Sequence, residues 1–209
     1  MKLVIATSNP HKLTEMRAIL NIRSLELVDL SAYPNLPPVI EDGATFVSNA
    51  TKKAVITALA TREWALADDS GLEVDFLNGA PGVYSARYAG EPVDYRANNA
   101  KLLAEMKNAM DRKARFCCVV ALSSPAGMAQ VVEGYCEGRI IHEPRGTGGF
   151  GYDPLFVPEG YDLTFAELGS SVKNGISHRS KALSKAQAAW HGALSSADRD
   201  WPGHLTGQR

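Results

Sequence analysis

The sequence lacks long apolar runs and has too few cysteines to be held together by disulfides. Its 209 residues include three cysteines and no CxxC pair, so neither a disulfide framework nor a thiolate metal site is expected. No apolar stretch approaches the roughly 20 residues of a membrane-spanning helix. The formal net charge is only −1, which argues against a surface that coats nucleic acid. We expect a globular cytoplasmic protein with neither membrane nor nucleic acid as a partner.

Two common nucleotide-binding motifs are also missing after the first predicted strand, residues 3–6. GxxxxGK[ST] and GxGxxG are both absent there, which excludes a P-loop and a dinucleotide fingerprint. A different phosphate-binding geometry is available, because Asn9 can cap a helix whose first residue is Pro10. The N–H groups of that helix start, together with Lys12, favour phosphate. The alternative is that Lys12 is an ordinary solvated helix charge.

A pair of acids follows an apolar run in the middle of the chain. Residues 64–67 predict a buried strand, and Asp68-Asp69-Ser70-Gly71 predicts that it ends there in a turn. Neighbouring strand residues point to opposite faces, so the two acids cannot share one pocket without a bend. We expect one acid to act and the other to support it. The alternative is an acidic loop cap.

Apolar spacing and turn residues predict the other main elements. Helices are expected over residues 46–58, 92–110 and 177–194. A hairpin of strands 115–122 and 130–141 is expected, then a glycine-rich loop at 146–154 and a short strand at 155–157. The polar residues 195–209 predict a loosely held tail.

Other polar residues near helix starts and loops are candidates for chemistry, although each has an ordinary structural explanation. Glu41 and Asp42 precede a helix, where acids are stabilising in any case. Mg²⁺ prefers one or two carboxylates with phosphate oxygens and water, so Glu41 joining Asp69 would be sufficient. His178 and Arg179 open the last helix and could donate to a carbonyl-rich ligand.

At these residues the chain resembles the inosine triphosphatase family of non-standard purine nucleoside triphosphate pyrophosphatases. The similar segments run in order along the chain and are Thr7 to Lys12 with Glu15, Asp68 to Leu72, Gly79 to Tyr88, Phe150 to Pro154, and Ser177 to Arg179. The resemblance implies an α/β fold: an elongated mixed β-sheet flanked by helices, with two lobes and a central nucleotide-binding cleft. It also implies that residues 1–194 are a single catalytic domain.

The implied reaction is hydrolysis of ITP, dITP or XTP between the α- and β-phosphates. The products are the nucleoside monophosphate and pyrophosphate, Mg²⁺ is the implied cofactor, and a homodimer is the implied assembly. One alternative is a related pyrophosphatase that acts on pyrimidine or modified nucleotides. Another is a nucleotide-binding sensor without turnover, which would be expected to lose Asp69 or Lys12.

The resemblance also implies residue roles. Asp69 is implied as proton acceptor and metal neighbour, and Glu41 is the candidate second metal ligand. Because a nearby Mg²⁺ depresses a carboxylate pKa, we hypothesise that Asp69 mainly orients a water that the metal has acidified. The implied substrate-binding residues are Thr7, Ser8, Asn9, Pro10, His11, Lys12, Lys53, Ser70, Phe150, Gly151, Tyr152, Asp153, Lys173, His178 and Arg179.

Some of these roles can be divided further. Lys12, Asn9 and Lys173 are expected at the triphosphate, with Lys53 less certain because Lys52 could serve instead. The 150–153 segment is expected at the base with His178 and Arg179, which could donate to the 6-oxo group that adenine lacks. The residue that excludes guanine is not identified. The chain departs from the family pattern at Ser48, where many relatives have an acid, which puts in doubt a metal or water role for that helix.

Overall fold

The structure, a computed structural model, describes residues 2–20 and 25–192. Its centre is one mixed sheet with strands in the order β2-β1-β3-β4-β5-β6. β1 runs parallel to β2 and β3, and the later neighbours are antiparallel. The strands are β1 (Lys2–Ile5), β2 (Glu26–Asp29), β3 (Trp64–Val74), β4 (Lys113–Ser123), β5 (Ala129–Ile140) and β6 (Phe156–Pro158).

Five α-helices lie in the described part of the chain. They are α1 (Pro10–Ile19), α2 (Phe46–Thr61), α3 (Tyr95–Glu105), α4 (Phe165–Ile176) and α5 (His178–Ala189). None of these helices is long and apolar enough to cross a membrane. The mixed sheet flanked by helices confirms the predicted α/β fold class, whereas the division into two lobes stays a prediction.

Helices cover both faces of the sheet. On one face, α1 and α5 pack on the strands through a core that includes Met16, Leu66 and Leu183. On the other, the alanine-rich side of α2 packs on β3 and β4, with Ala50 and Ala54 fully buried. A third core joins α3 and α4 to the far ends of the long strands. The layers bury the sheet on both sides, which explains why β4 is a nearly continuous apolar run from Phe116 to Leu122.

The predicted turn at Ser70-Gly71 is wrong, because β3 continues to Val74. Its partner β4 pairs with it from Ala65↔Ser123 to Val74↔Ala114, so the ladder carries the chain straight through the acids. A Cβ on Gly71 would lie less than 3.0 Å from Gly82 O and the Ser85 hydroxyl. This glycine therefore marks a close backbone approach and not a strand end.

The first strand and helix follow the sequence closely. β1 ends at Ile5, and the side chain of Asn9 accepts hydrogen bonds from the N–H groups of His11 and Lys12. β1 pairs with β3 only as far as Ile5↔Leu66. The edge of β3 is therefore open just beyond the carboxyl end of β1, beside the two acids.

The other predictions meet mixed outcomes. The hairpin of β4 and β5 is confirmed, and α3 is shorter than predicted because Asp94 caps it at Tyr95. Helix α4 was missed, although Thr164 and Glu167 form the capping box that its sequence encodes. Helix α5 is confirmed as far as Ala189. The polar tail 195–209 lies outside the described residues.

Gly134 on β5 lets α5 approach the sheet. A Cβ there would lie less than 3.0 Å from the backbone atoms Ala182 N and His178 O. We predict that Gly134→Ala lowers the free energy of unfolding by about 1–3 kcal/mol, the usual cost of overpacking. Urea denaturation would measure this loss as a lower midpoint with an unchanged slope.

The matched control is Gly175→Ala in α4, where a Cβ meets nothing within 4 Å. It should be neutral or stabilising by up to about 1 kcal/mol, because alanine is the better helix former. A Gly134→Ala protein as stable as this control would contradict the packing argument.

Candidate nucleotide-binding site

A cleft of about 430 Å³ opens beside the free edge of β3, at the carboxyl end of β1. Open α/β sheets bind ligands in this position. Most of the sequence-predicted site residues line it. They are Thr7, Ser8, Asn9, Lys12, Glu41, Lys53, Asp69, Ser70, Phe150, Gly151, Tyr152, Asp153, Lys173, His178 and Arg179.

Pro10 and His11 are not brought to the cleft lining. Pro10 is the first residue of α1, where its ring fits the helix start. The His11 ring stacks on Phe150, with ring centroids 5.1 Å apart. The side chain of His11 therefore lies beside the 150–153 segment, although the resemblance implied it within the phosphate loop.

Asp68 and Asp69 point to opposite faces of β3, as the sequence predicted. Asp68 is fully buried between α1 and α5. Lys12 Nζ lies 3.2 Å from Asp68 Oδ2, and Arg179 donates to the same oxygen from Nε and Nη2 at 3.2 and 3.1 Å. Burial opposes ionisation, but the charges of Lys12, Arg179 and Lys53 outweigh it and hold the pKa of Asp68 well below its usual range. Asp68 is thus a permanently charged structural anion.

Asp69 faces α2 and the cleft. Its Oδ2 accepts a hydrogen bond from Asn49 Nδ2 at 3.0 Å, and its Oδ1 accepts one from its neighbour's backbone, Ser70 N, at 2.9 Å. Burial raises the pKa of Asp69, and the nearby Glu41 charge acts in the same direction against the two lysines Lys12 and Lys53. Of the two acids, Asp69 is therefore the one that lines the cleft and has a raised pKa.

Lys53, and not Lys52, belongs to the cleft. Lys53 is buried, and its ammonium donates to Glu41 Oε2 at 2.9 Å and to the backbone oxygen of Asp68 at 2.6 Å. Lys52 instead forms a surface ion pair with Asp42 at 2.6 Å. The choice that the sequence left open is settled by which face of α2 each lysine occupies.

The Glu41 and Asp69 carboxylates suit a hard cation. Both line the cleft, and the charge of Glu41 raises the Asp69 pKa, so a cation between them would relieve their repulsion. Across the described ranges no cluster of three or more His, Cys, Asp or Glu side chains is arranged to hold a metal. Two carboxylates completed by phosphate oxygens and water match the oxygen ligand set that Mg²⁺ prefers.

Aromatic and ionic groups meet at the other end of the cleft. Lys173 Nζ lies 4.7 Å from the Phe150 ring centroid and pairs with Asp153 at 2.6 Å and Glu15 at 2.8 Å. The Tyr152 hydroxyl donates to Ser85 O at 2.9 Å. Lys173 thus lies with the segment expected at the base, whereas the sequence analysis expected it at the triphosphate.

His178 is buried against the aromatic core. Its ring stacks on Phe116 with centroids 4.7 Å apart, and its Nδ1 has no hydrogen-bond partner. Burial lowers the pKa of His178 well below its usual value, and the charges of Arg179 and Lys173 lower it further. The imidazole is therefore neutral at pH 7, and its buried Nδ1 retains unused hydrogen-bonding capacity.

Arg179 has little capacity left for a ligand. Four of its N–H groups donate within the protein, two to Asp68, one to Ser70 Oγ and one to Glu15. Because a guanidinium has five N–H donors, one remains. Arg179 mainly holds the site together, and the unpartnered Nδ1 of His178 is the freer polar atom at this end.

Several cleft residues were missed by sequence reasoning. Arg87 donates to Glu41 O at 3.3 Å, and Tyr95 lies 6.1 Å from the Phe150 ring. Asn49, whose neighbour Ser48 had cast doubt on the helix, contacts Asp69. Ser48 itself completes a capping box with Thr45. The serine that stands here in place of the relatives' acid therefore still stabilises the start of the helix.

The comparisons with known proteins agree with this geometry. The model of the Ham1 family matches residues 3–189. The dITP/XTP pyrophosphatase of Desulforamulus reducens is 54% identical over 188 residues, which covers 89% of this chain and 94% of that protein. The dITP/XTP pyrophosphatase of Geobacter sulfurreducens is 50% identical over 195 residues, covering 91% of this chain and 98% of that protein.

Solved structures give the same result. A HAM1 protein from Coxiella burnetii matches with a TM-score of 0.85 and 39% identity, covering 92% of this chain and all of that one (100%). The Staphylococcus aureus Ham1 protein matches with a TM-score of 0.83 and 40% identity, covering 92% and 99%. The resemblance found in the sequence is thereby confirmed, and the chain belongs to the Ham1 family.

Proposed function

We propose that this protein hydrolyses non-standard purine nucleoside triphosphates, ITP, dITP and XTP, to the nucleoside monophosphate and pyrophosphate. The observation that carries the proposal is the arrangement of one cleft. It has an ionisable carboxylate, Asp69, beside Glu41 and the buried Lys53, and an aromatic pocket with a neutral His178 at its other end. The names of the relatives, dITP/XTP pyrophosphatases, support the same reaction.

The phosphate chain is proposed to lie along the start of α1. The dipole of α1 favours negative charge at its N-terminus, where Asn9 already accepts hydrogen bonds from the N–H groups of His11 and Lys12. Lys12 and Lys53 supply the nearest positive charges, and both are anchored by Asp68, one through its carboxylate and one through its backbone oxygen. Because the ammonium groups are held in place, little side-chain entropy is lost when phosphate binds.

Glu41 and Asp69 are proposed to hold Mg²⁺. When bound, this ion would lower the pKa of a water and neutralise charge on the phosphates. Asp69 orients the attacking water, because its carboxylate is fixed on one oxygen by Asn49 and on the other by its own strand. Each carboxylate oxygen still has a second lone pair with which it can contact the attacking water or the ion.

Base selection is proposed to rest on His178 and the remaining N–H of Arg179. Hypoxanthine and xanthine present a 6-oxo acceptor, where adenine presents an amino donor. A guanidinium cannot accept a hydrogen bond, so adenine would leave a buried donor unpaired at a cost of about 1–3 kcal/mol. Phe150 offers the ring on which a purine would stack.

We further propose a cytoplasmic homodimer. The family resemblance supports the dimer, and the three buried free thiols Cys117, Cys118 and Cys136 are at home in a reducing compartment.

The reaction itself is tested by measuring products from a panel of ITP, XTP, GTP, ATP and a pyrimidine triphosphate. We expect pyrophosphate release that is fastest with ITP and XTP and that stops when EDTA removes Mg²⁺. Release of orthophosphate, or equal rates on ATP, would defeat the proposal. Nucleotide binding with no product at all would identify the protein as a sensor.

The role of Asp69 is tested by Asp69→Asn. We predict a loss of turnover of about a hundredfold or more, because a neutral amide is a weaker Mg²⁺ ligand than a carboxylate and orients the attacking water less strongly. Nucleotide binding should stay measurable by calorimetry. The matched control is Asp42→Asn, which removes a surface carboxylate paired with Lys52 and should keep normal turnover. Near-normal turnover in Asp69→Asn would refute the assignment.

The role of His178 is tested by His178→Ala. We predict that the ratio of kcat/KM for ITP over ATP falls by about five- to hundredfold, since one discriminating hydrogen bond is lost. Lys181→Ala on the exposed side of α5 is the control and should leave the ratio unchanged. An unchanged ratio in His178→Ala would exclude His178 from base selection.

A further inference from the structure

Asn49 is a buried side chain in the first turn of α2 that contacts both halves of the proposed metal site. Only 1% of it is exposed. Its Nδ2 donates to Asp69 Oδ2 at 3.0 Å, and its Oδ1 accepts from the backbone Gly43 N at 2.8 Å. Gly43 lies two residues after Glu41. One side chain therefore joins the reactive strand to the segment that carries the second carboxylate.

The hydrogen bonds define how this amide is oriented. A backbone N–H can only donate, so the group facing Gly43 N must be the carbonyl oxygen. The NH₂ group then faces Asp69 and also lies 3.4 Å from Gly43 O. The reversed amide would place an oxygen against the Asp69 carboxylate. The orientation is thus fixed by its partners on both sides.

Gly43 fits this contact only because it has no side chain. A Cβ there would lie less than 3.0 Å from both Asn49 Oδ1 and Ser48 Oγ. Ser48 cannot move away easily, because its hydroxyl is engaged with Thr45 in the capping box. The backbone at residue 43 is therefore seated tightly against the start of α2.

We propose that Asn49 is a positioning residue that sets the separation of the Glu41 and Asp69 carboxylates by clasping Gly43 with one end of its amide and Asp69 with the other. The inference rests on the proposed function, in which these two carboxylates hold Mg²⁺. Groups that orient metal-binding carboxylates from behind usually contribute a factor of about 10–100 in metal affinity or activity. Asn49 touches neither nucleotide nor metal in this role.

The test compares wild type with Asn49→Leu, which keeps the shape of the side chain and removes its hydrogen bonds to Asp69 and Gly43. Mn²⁺ is the probe, and its binding is followed by electron paramagnetic resonance with a nonhydrolysable α,β-methylene inosine triphosphate present. We expect the Mn²⁺ dissociation constant to rise by about 10–100-fold and kcat to fall by a similar factor. KM for ITP should change far less, because the phosphate and base contacts are untouched.

Ser48→Ala is the matched control, since it weakens the start of the same helix without touching Asp69. It should lower thermal stability while leaving Mn²⁺ affinity and kcat near wild type. Gly43→Ala strains the clasp from its other partner; the residue lies in a partly exposed loop, so this variant is expected to fold even where Asn49→Leu does not. It should weaken Mn²⁺ binding in the same direction.

The outcomes separate the two proposals. Wild-type protein that binds no Mn²⁺ and needs no Mg²⁺ for turnover would refute the Mg²⁺ site of the proposed function. A second outcome would refute only the clasp. In it, the wild-type protein binds Mn²⁺ and needs Mg²⁺ for turnover, but Asn49→Leu and Gly43→Ala have the same Mn²⁺ affinity and kcat as Ser48→Ala. Weaker Mn²⁺ binding in either clasp variant with a nearly constant KM would establish it.

Discussion

The buried ion pair of Asp68 and Arg179 is the interaction on which the rest of the site depends. Asp68 is fully buried and Arg179 is 1% exposed, so these charges are tolerable only because they face each other, with Lys12 and Glu15 completing the pairing. Removing one partner of such a pair costs about 3–5 kcal/mol, since a buried charge is left uncompensated. The pair also joins β3 to the start of α5, which fixes where His178 stands.

The ion pair extends into a network that spans the cleft. Glu15 on α1 takes a hydrogen bond from Arg179 and pairs with Lys173, which in turn pairs with Asp153. Positive and negative groups alternate along this chain of contacts, so the cations at the cleft wall are held in place before any ligand arrives. The same contacts tie α1, α4 and α5 to one another. Residues that hold the helices together therefore also line the cleft.

The two neighbouring acids have different surroundings because consecutive residues of a strand point to opposite faces. Asp68 turns toward α1 and α5, where lysine and arginine keep it charged. Asp69 turns toward α2, where burial raises its pKa and Asn49 fixes its orientation. A one-residue shift of register would exchange these environments. The long antiparallel ladder with β4 prevents that shift. The same ladder carries the strand through the two acids without a turn.

Local patterns in the sequence determined much of this protein: the capped start of α1, the β4–β5 hairpin, the opposite faces of Asp68 and Asp69, and the segments that carry the family resemblance. Helix α4 was within reach through its capping box. Tertiary structure alone decided that β3 continues past Gly71, that Lys53 and not Lys52 enters the cleft, and that Asn49 reaches Asp69. The physical reason is that these outcomes depend on which distant strand or helix packs against each residue. Asn49 and its partner Asp69, for example, are 20 residues apart in the chain. Contacts between such distant residues leave no periodic pattern in the sequence.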